Sequence, residues 1–253
     1  MVPRPREPKP SNDKHLGNGK LFLNPAPRYA IISPMMIEPL TTTRYLKSLK
    51  SPLDPRYKLL KPGTNNKKLG GIVTAKQWAG KRMYSLTLTE RDTCPTSCHH
   101  WDDCYGNNMP FAHRFTTHGL TSELTEEIES LCNKYPKGIV IRLHVLGDFY
   151  STEYVGFWDD MLRKHPTLCI FGYTARLDDN IALAIIQLNM LHPDRCVIRF
   201  SISREYIGGN SYAAEESFKG KSFTCPEQTG IMPSCAACGA CWITNKTVRF
   251  LSH

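Results

Sequence analysis

The stretch IVIRLHVLGDFYSTEYVGFWDDMLRKHPTLCIFGYTAR, residues 139–176, decides the fold because strand and helix patterns alternate within it. Residues 139–149 and 168–176 are rich in the branched and aromatic residues that favour strands. Between them, residues 151–165 open with a capping-box pattern and continue with helical spacing. A strand, a helix and a strand over so short a length predict a right-handed βαβ unit with parallel strands.

The alternation of strands and helices extends outward from this unit in both directions. Further strands are predicted at residues 83–90 and 196–203, and further helices at residues 122–135 and 180–191. We therefore predict an α/β domain over residues 71–253, in which helices connect parallel strands. The hydrophobic content of 41% is that of a globular protein.

Polar residues recur at alternate positions of the predicted strands, whereas the strands of an open doubly wound sheet are apolar on both faces. The polar positions are Ser85, Thr87, Thr89, Arg142, His144, Gly172, Thr174, Arg176, Arg199, Ser201 and Ser203. By the same alternation, Tyr173 falls on the opposite, apolar face. Because helices would cover the apolar face, this pattern predicts a partial (β/α) barrel with a polar lumen. An ordinary sheet with a few satisfied polar groups is the alternative.

Two residues of this polar face are candidate catalytic residues. Arg142 is expected to face the lumen and to bind a carboxylate or a phosphate. His144 is a candidate proton carrier, and an ordinary interior histidine is the alternative for this residue.

The N-terminal region differs from the rest of the chain in charge and in proline content. Residues 1–70 contain 14 of the 32 Lys and Arg residues, 4 of the 23 Asp and Glu residues, and 11 of the 18 prolines. Proline at this density disfavours long helices and central strands, so we predict an irregular, basic arm that wraps the domain. The charge predicts contact between the arm and nucleic acid or a nucleotide. A solvated extension that only improves solubility is the alternative.

The cysteine content points to metal binding once the compartment is considered. No apolar run reaches the ~18 residues that span a membrane, and the N-terminus MVPRPREPKP lacks the apolar segment of a secretory signal. We therefore expect a cytoplasmic protein without a membrane partner, in a compartment where disulfides are uncommon. The ten cysteines of the chain then favour metal ligation.

The stretch TCPTSCHHWDDCYGNNMP, residues 93–110, directly follows the strand at 83–90. Its cysteines are Cys94, Cys98 and Cys104, in the spacing C-x3-C-x5-C. Three thiolates can hold three corners of a 4Fe–4S cluster and leave the fourth iron open to another ligand. A zinc site completed by His99 or His100 is one alternative, and unliganded thiols are another.

A second cysteine-rich segment lies near the C-terminus, at residues 222–245. Its cysteines are Cys225, Cys235, Cys238 and Cys241, in the spacing C-x9-C-x2-C-x2-C. Four thiolates suffice for a closed zinc site or a second iron–sulfur cluster, and the C-x2-C-x2-C run is typical of ferredoxin ligation. A third interpretation is that the two cysteine groups share one cluster. Cys132, Cys169 and Cys196 lie in helix or strand patterns and are predicted to be ordinary buried side chains.

The first strand, the three-cysteine loop and the Gly-acid end of the next strand resemble the radical S-adenosylmethionine superfamily. In that superfamily the loop is C-x3-C-x2-C, and a GGE-like motif holds the amine of the cofactor. Here the second spacing is x5, and LGDF stands in place of the GGE-like motif. The resemblance implies that Gly147 and Asp148 hold the methionine amine of S-adenosylmethionine. It also implies that Ser201, Ser203 and Arg204 hold the ribose and the carboxylate of the cofactor.

Several motifs together are similar to those of a poorly characterised protein family carried by phages and plasmids. They are the cysteine loop, RLH followed by GDFYS, the strand end GYTAR and the tail motif CP…CxxCGxCW, and they span residues 83–242. This resemblance implies a redox-metal or radical-type barrel and no known substrate. We therefore expect an iron–sulfur enzyme that uses S-adenosylmethionine and an electron donor to modify a nucleotide or nucleic acid. The alternative is a non-catalytic module, stabilised by zinc or iron–sulfur, whose arm binds nucleic acid.

Overall fold

The computed structural model describes residues 43–177, 179–202, 212–214 and 221–251. Its strands are β1 (Leu49–Lys50), β2 (Lys61–Pro62), β3 (Arg82–Ser85), β4 (Arg114–Phe115), β5 (Ile139–Leu143), β6 (Cys169–Thr174), β7 (Cys196–Ile202), β8 (Tyr212–Ala214), β9 (Ser222–Thr224) and β10 (Thr247–Arg249). Its α-helices are α1 (Leu120–Lys134), α2 (Thr152–Lys164), α3 (Asn180–Leu191), α4 (Cys235–Cys238) and α5 (Ala240–Ile243). Single 3-10 turns occur at Leu46–Ser48, Gly63–Asn65, Lys76–Trp78 and Tyr105–Asn108.

The strands form one large sheet and one small sheet. The large sheet has eight strands in the order β2-β3-β5-β6-β7-β8-β10-β9. Every ladder in it is parallel except the one between β2 and β3. The small sheet pairs β1 with β4, also in parallel. The predicted α/β fold with parallel strands is thus confirmed, and within the described residues no ladder joins the outer strands β2 and β9.

The helices and strands predicted between residues 83 and 203 are all present, with bounds that differ by a few residues. The helix α2 begins behind Ser151, whose side chain accepts a hydrogen bond from Tyr154 N at 3.2 Å, as the capping pattern predicts. The helix α1 begins at Leu120, earlier than predicted. Its N-cap is Gly119, which adopts a left-handed conformation with φ +74°, so the helix starts two residues before the predicted start at residue 122.

One face of the large sheet is covered by α1, α2 and α3, and we call it the helix face. The core on this face contains Leu124, Ile128, Ile141, Leu143, Trp158, Ile185 and Ile198, each at most 1% exposed. Burial of each such side chain stabilises the fold by roughly 1.5–3 kcal/mol before the entropic cost of ordering the chain. None of the described helices is long and apolar enough to cross a lipid bilayer.

The opposite face of the sheet, which we call the tail face, is covered by residues 69–78 together with α4 and α5. Ala236 N donates a hydrogen bond to Leu69 O at 2.9 Å, which ties α4 to the covering segment. Trp242 of α5 stacks on Trp78, with ring centroids 4.9 Å apart and an interplanar angle of 8°. Both rings also contact an aromatic ring of β6. The cysteine-rich tail is therefore packed directly on the sheet.

In β6 the side chains predicted to lie on the two faces of the sheet are exchanged. Tyr173 lies on the tail face, where its hydroxyl donates a hydrogen bond to Cys241 Sγ at 2.9 Å, so its assignment to the apolar face is wrong. A Cβ on Gly172 would meet side chains of β5 and β7 from the helix-face core, and Thr174 shares that side by alternation. Both faces of β6 are covered by other parts of the chain. Apolar residues therefore occur on both faces, and the sequence pattern does not determine the phase.

Residues 43–70, the described part of the predicted arm, have little regular structure, as their proline content predicts. They contribute β1, β2 and two 3-10 turns, and β2 pairs with the edge of the large sheet. Leu59, Leu60 and Leu69 are at most 3% exposed, so this part of the arm packs on the domain. The rest of the predicted arm lies outside the described residues.

Candidate metal and ligand site

The three-cysteine loop lies at the carboxyl ends of the parallel strands, the edge at which ligands bind in such folds. Thr93, at the start of the loop, accepts a hydrogen bond through Oγ1 from Asp148 N at 3.0 Å, just beyond β5. Arg176, just beyond β6, donates a hydrogen bond to Thr93 O at 3.2 Å. The loop is therefore joined to the ends of two neighbouring strands.

The thiols of the loop influence one another's ionisation. Cys94, Cys98 and Cys104 are half-buried and interact electrostatically with one another. Burial raises the pKa of all three thiols, that of Cys94 to about 12. A backbone N–H opposes this effect at each sulfur; the donors are Arg91 for Cys94, His100 for Cys98 and Gly106 for Cys104. Such donors favour thiolate over thiol, and hydrogen bonds to sulfur tune iron–sulfur clusters in proteins.

Gly147 and Asp148 form a tight turn beside the loop. Gly147 has φ +83°, and a Cβ on it would lie 2.6 Å from Thr93 Oγ1, so glycine is needed for this close approach. Asp148 is 3% exposed, and its two carboxylate oxygens accept hydrogen bonds from Phe149 N and Ala175 N, each at 2.7 Å. Burial raises the pKa of Asp148 to about 6, although these hydrogen bonds lower it. Its charge in turn raises the pKa of the nearest loop thiols.

His144 does not share the tail face with Arg142, and its predicted place on the polar face is wrong. The strand β5 ends at Leu143, and His144 has φ +54°, which turns its side chain toward the helix face. There its ring packs on Phe149, with centroids 4.6 Å apart, and Nε2 lies 3.2 Å from the Tyr154 hydroxyl. Burial lowers the pKa of His144 to about 3, so the ring is neutral at physiological pH. A role in proton transfer stays a prediction.

Two of the four tail cysteines, Cys235 and Cys241, pack against the core of the tail face, and all four lie in or next to the short elements of the tail. The four are Cys225 after β9, Cys235 and Cys238 at the two ends of α4, and Cys241 in α5. Cys225 interacts electrostatically with each of the other three. Burial raises the pKa of Cys235 to about 12. Burial also raises the pKa of Cys241, against the lowering effect of the hydrogen bond from Tyr173.

Arg199 connects the sheet to the tail. It lies on β7, is 0% exposed, and donates hydrogen bonds to Cys241 O and Lys246 O, each at 2.9 Å. Burial lowers its pKa, while the nearby Cys241 and Tyr173 raise it. Arg199 therefore lies on the tail face, as the alternation predicts, and it fixes the segment that carries the last tail cysteine.

Arg142 lies between the two cysteine groups. Toward the tail it interacts with Cys235 and Cys241, and its guanidinium carbon lies 5.9 Å from the ring centroid of Tyr173. Toward the loop it interacts with Tyr105, which also interacts with the loop thiols. Tyr105 is 40% exposed, and burial raises its pKa to about 12, against the lowering effect of the nearby Arg142.

The guanidinium group of Arg142 is incompletely satisfied. Its Nε is buried and has no hydrogen-bond partner within the described part of the chain. A buried charge without hydrogen bonds is costly, so this position favours an anionic ligand or thiolates nearby. The sequence pattern predicts Arg142 as a site residue but neither Tyr105 nor Tyr173. Two features of the sequence could have identified these tyrosines as site residues: Tyr105 directly follows Cys104, and Tyr173 belongs to the GYTAR motif.

The remaining predicted site residues are less informative. Ser201 lies in β7 and is half-buried, whereas Ser203 and Arg204 lie outside the described residues. His99 and His100, the alternative zinc ligands, are exposed. Within the ranges that the structure describes, no three Cys, His, Asp or Glu side chains come close enough to hold one metal ion.

Comparison with known proteins identifies the family of this chain. The model of the protein family described as Gene product 88 matches residues 57–233, more than half of the chain. The Gene 88 protein of Mycobacterium phage L5 is 26% identical over 153 residues, in an alignment that covers 52% of this chain and 62% of that protein. The chain thus aligns with less than two thirds of this relative. No solved structure matches the chain. The predicted likeness to a phage-borne family is confirmed, and the chain belongs to the Gene product 88 family.

Proposed function

We propose that this protein is an iron–sulfur enzyme of the radical S-adenosylmethionine type, built on a partial (β/α) barrel and acting on a nucleotide or nucleic acid. One observation carries the proposal: three mutually interacting thiols lie at the carboxyl ends of parallel strands, beside the turn of Gly147 and the buried Asp148. This is the edge at which parallel α/β folds bind their ligands.

The order of the strands supports a partial barrel. From β3 through β5, β6, β7 and β8, each strand is placed next to the preceding one, without the reversal that defines a doubly wound sheet. The three long helices pack on one face only, and the other face carries charged and polar side chains. Both features are typical of (β/α) barrels.

The loop cysteines fit a cluster by their chemistry. Thiolates are the ligands of iron–sulfur clusters, and each of these three sulfurs is near a backbone N–H that favours the thiolate. Three ligands leave one position free for a small molecule. A cluster there would supply one-electron reduction of bound S-adenosylmethionine, with electrons from an external donor.

The turn at Gly147 and Asp148 is the proposed contact for the cofactor amine. Each carboxylate oxygen of Asp148 already accepts one backbone hydrogen bond, which fixes its orientation. A carboxylate oxygen has a second lone pair, so Asp148 can also accept from an ammonium group. Ser201 in β7, together with Ser203 and Arg204, would hold the ribose and the carboxylate of the cofactor.

The tail cysteines are the proposed ligands of a second metal centre, an iron–sulfur cluster or zinc. Four thiolates around one centre carry net negative charge, and the cation of Arg142, whose Nε is buried, interacts with two of them. Arg142 would then offset this charge and present its remaining donors to an anionic group of the substrate.

The test is anaerobic reduction of the iron-loaded protein in the presence of S-adenosylmethionine, followed by measurement of 5′-deoxyadenosine. We expect this product from the wild type and none from Cys98→Ala. Cys132→Ala, which changes a cysteine of α1 outside both groups, is the matched control and should behave as wild type. A reduced, iron-loaded wild type that neither binds nor cleaves the cofactor would show that the radical-type activity is wrong.

A second candidate function is a non-catalytic, metal-stabilised module that binds nucleic acid. The observation that favours it is the concentration of cations in the described part of the arm. Residues 43–62 contain six Lys or Arg residues and one Asp. In this candidate the metal would stabilise the fold and would take part in no reaction. Retention of binding with no cofactor cleavage would favour this candidate.

A further inference from the structure

A groove separate from both cysteine groups lies between the arm segment 44–50 and the end of the cysteine loop. It has a volume of about 610 Å³, and its lining includes Arg44, Tyr45, Lys47, Lys50, Phe111 and His113. Three of the lining residues are Lys or Arg, and none is Asp or Glu. We call it the basic-aromatic groove.

Phe111 is the unusual residue of this groove because it is 93% exposed. Single exposed apolar residues are common, but an exposed aromatic ring beside Lys and Arg side chains offers a surface on which a base can stack. Tyr45 is fixed nearby, since its hydroxyl donates to Asn107 O and Arg114 lies 5.1 Å from its ring centroid. The groove therefore offers one free aromatic ring and one fixed aromatic ring.

The charges around the groove give it a positive potential. His113 has a lowered pKa, first because of burial and then because Lys61 and Lys50 repel its protonated form. Asp54, the one acid among residues 43–70, is engaged by Arg56 in an ion pair with an N–O distance of 2.7 Å, and Glu90, which accepts a hydrogen bond from Thr43, is paired with Arg114. A partner with negative charges and flat rings is complementary to these features.

We propose that the basic-aromatic groove binds single-stranded nucleic acid, with a base stacked on Phe111 and phosphates contacted by Arg44, Lys47 and Lys50. Stacking on an aromatic ring requires an unstacked base, which a single strand offers and an intact duplex does not. Lys and Arg side chains supply the contacts with phosphate. An acidic protein segment would use the cations but would not require the stacking ring.

The groove is built by the same contacts that shape the cysteine loop. Arg114 donates to Met109 O at 3.0 Å and to Gly106 O at 2.9 Å, which fixes the chain between Cys104 and Phe111. A strand bound in the groove would therefore lie beside the loop. The inference deepens the nucleic-acid part of the proposed function, but it does not rest on the identity of the metal.

The experiment measures binding of a fluorescently labelled single-stranded oligothymidylate of roughly 15 nucleotides to the full-length, metal-loaded protein. We expect Phe111→Ala to weaken binding by roughly 5- to 100-fold with little change in salt dependence. We expect Lys47→Ala to lower the slope of log affinity against log salt by about 0.7. Ile231→Ala, at a residue that is 75% exposed in another part of the chain, is the matched control and should bind as wild type.

Three outcomes would overturn the inference. They are no binding by the wild type, equal binding by Phe111→Ala and wild type, and preference for an acidic peptide over the oligonucleotide. Removal of the first ~20 residues tests the arm separately, because loss of phosphate contacts there would lower the salt slope without affecting the Phe111 contribution. Metal content is measured in each variant, so loss of the groove and loss of the metal centre are distinguishable.

Discussion

Arg114 and Glu90 form a fully buried ion pair, with 2.7 Å between Nε and Oε2 and exposures of 0% and 1%. Glu90 precedes the three-cysteine loop and Arg114 follows it, so the pair closes the loop at its base. The other guanidinium nitrogens donate to backbone carbonyls within the loop. Such a pair is costly to desolvate and is tolerated only when its hydrogen bonds are satisfied, as they are here. The chain itself therefore fixes the base of the loop.

Replacement of Glu90 by Gln should lower the free energy of unfolding by about 3–5 kcal/mol, because it leaves the buried charge of Arg114 without its counter-charge. Urea denaturation of the metal-free protein measures this loss. Glu129→Gln, in the exposed pair with Lys164, is the matched control and should lower the free energy of unfolding far less, because solvent screens that pair. Equal losses in the two variants would contradict the structural role of the buried pair.

Two separate cysteine groups predict separate loss of metal. Cys98→Ala should remove the metal of the loop and leave that of the tail, whereas Cys238→Ala should do the reverse. Cys132→Ala should remove neither. The metal content of each variant, with circular dichroism as a check of folding, provides the measurement. Complete loss of metal from either single variant with the fold intact would instead indicate one shared centre.

The raised pKa of Asp148 predicts a pH-dependent stability of defined sign. Its pKa rises from the ordinary value of 3.8 to about 6 in the fold, so between these values the folded state binds the proton and the unfolded state does not. The free energy of unfolding of the wild type should therefore fall relative to that of Asp148→Asn as the pH rises from about 4 to about 6, by up to roughly 3 kcal/mol. Above about pH 6 the difference between the two proteins should stay constant.

Urea denaturation of both metal-free proteins at several pH values tests this prediction. His144 and the other titrating groups are common to the two proteins, so their contributions cancel in the difference. The Asn amide must also face one of the backbone N–H donors, which adds a cost that does not vary with pH. A difference that is flat from pH 4 to pH 7, or that has the opposite slope, would contradict the buried position of the carboxyl group.

Arg142 should have opposite effects in the metal-free and metal-loaded proteins. In the metal-free protein its buried Nε is unpaired, so Arg142→Met should raise the free energy of unfolding by about 1 kcal/mol. In the loaded protein the same change removes the cation beside Cys235 and Cys241, so the tail metal should be released faster to a chelator. Arg142→Lys keeps the charge and should retain the metal nearly as wild type. Stabilisation of both forms by Arg142→Met would show that its charge does not support the tail centre.

The sequence predicts β3, β5, β6, β7 and the helices α1 to α3, because their apolar spacing follows directly from burial on the helix face. It does not predict the short strand β4. It does not predict the phase of β6, since Phe171 and Tyr173 pack under the tail on the second covered face. Nor does it predict His144, whose positive φ interrupts the alternation. These features depend on contacts between segments far apart in sequence, which local patterns do not encode.

The candidate site shows the same division between local pattern and tertiary contact. The spacing of the cysteines and the GDF turn identify the loop, because both signals are local. Arg142 interacts with Tyr105 and Tyr173, and the three residues lie in elements that meet only in the fold. The exposure of Phe111 likewise follows from the packing of the loop and not from its neighbours in sequence.

The most direct test of the central claim is the iron and acid-labile sulfide content of protein purified without oxygen. The account predicts a brown protein that absorbs near about 400 nm and contains at least about four iron atoms and four sulfides per chain. Both should fall when any loop cysteine is replaced. A colourless, folded protein that contains only zinc, or no metal under these conditions, would contradict the account.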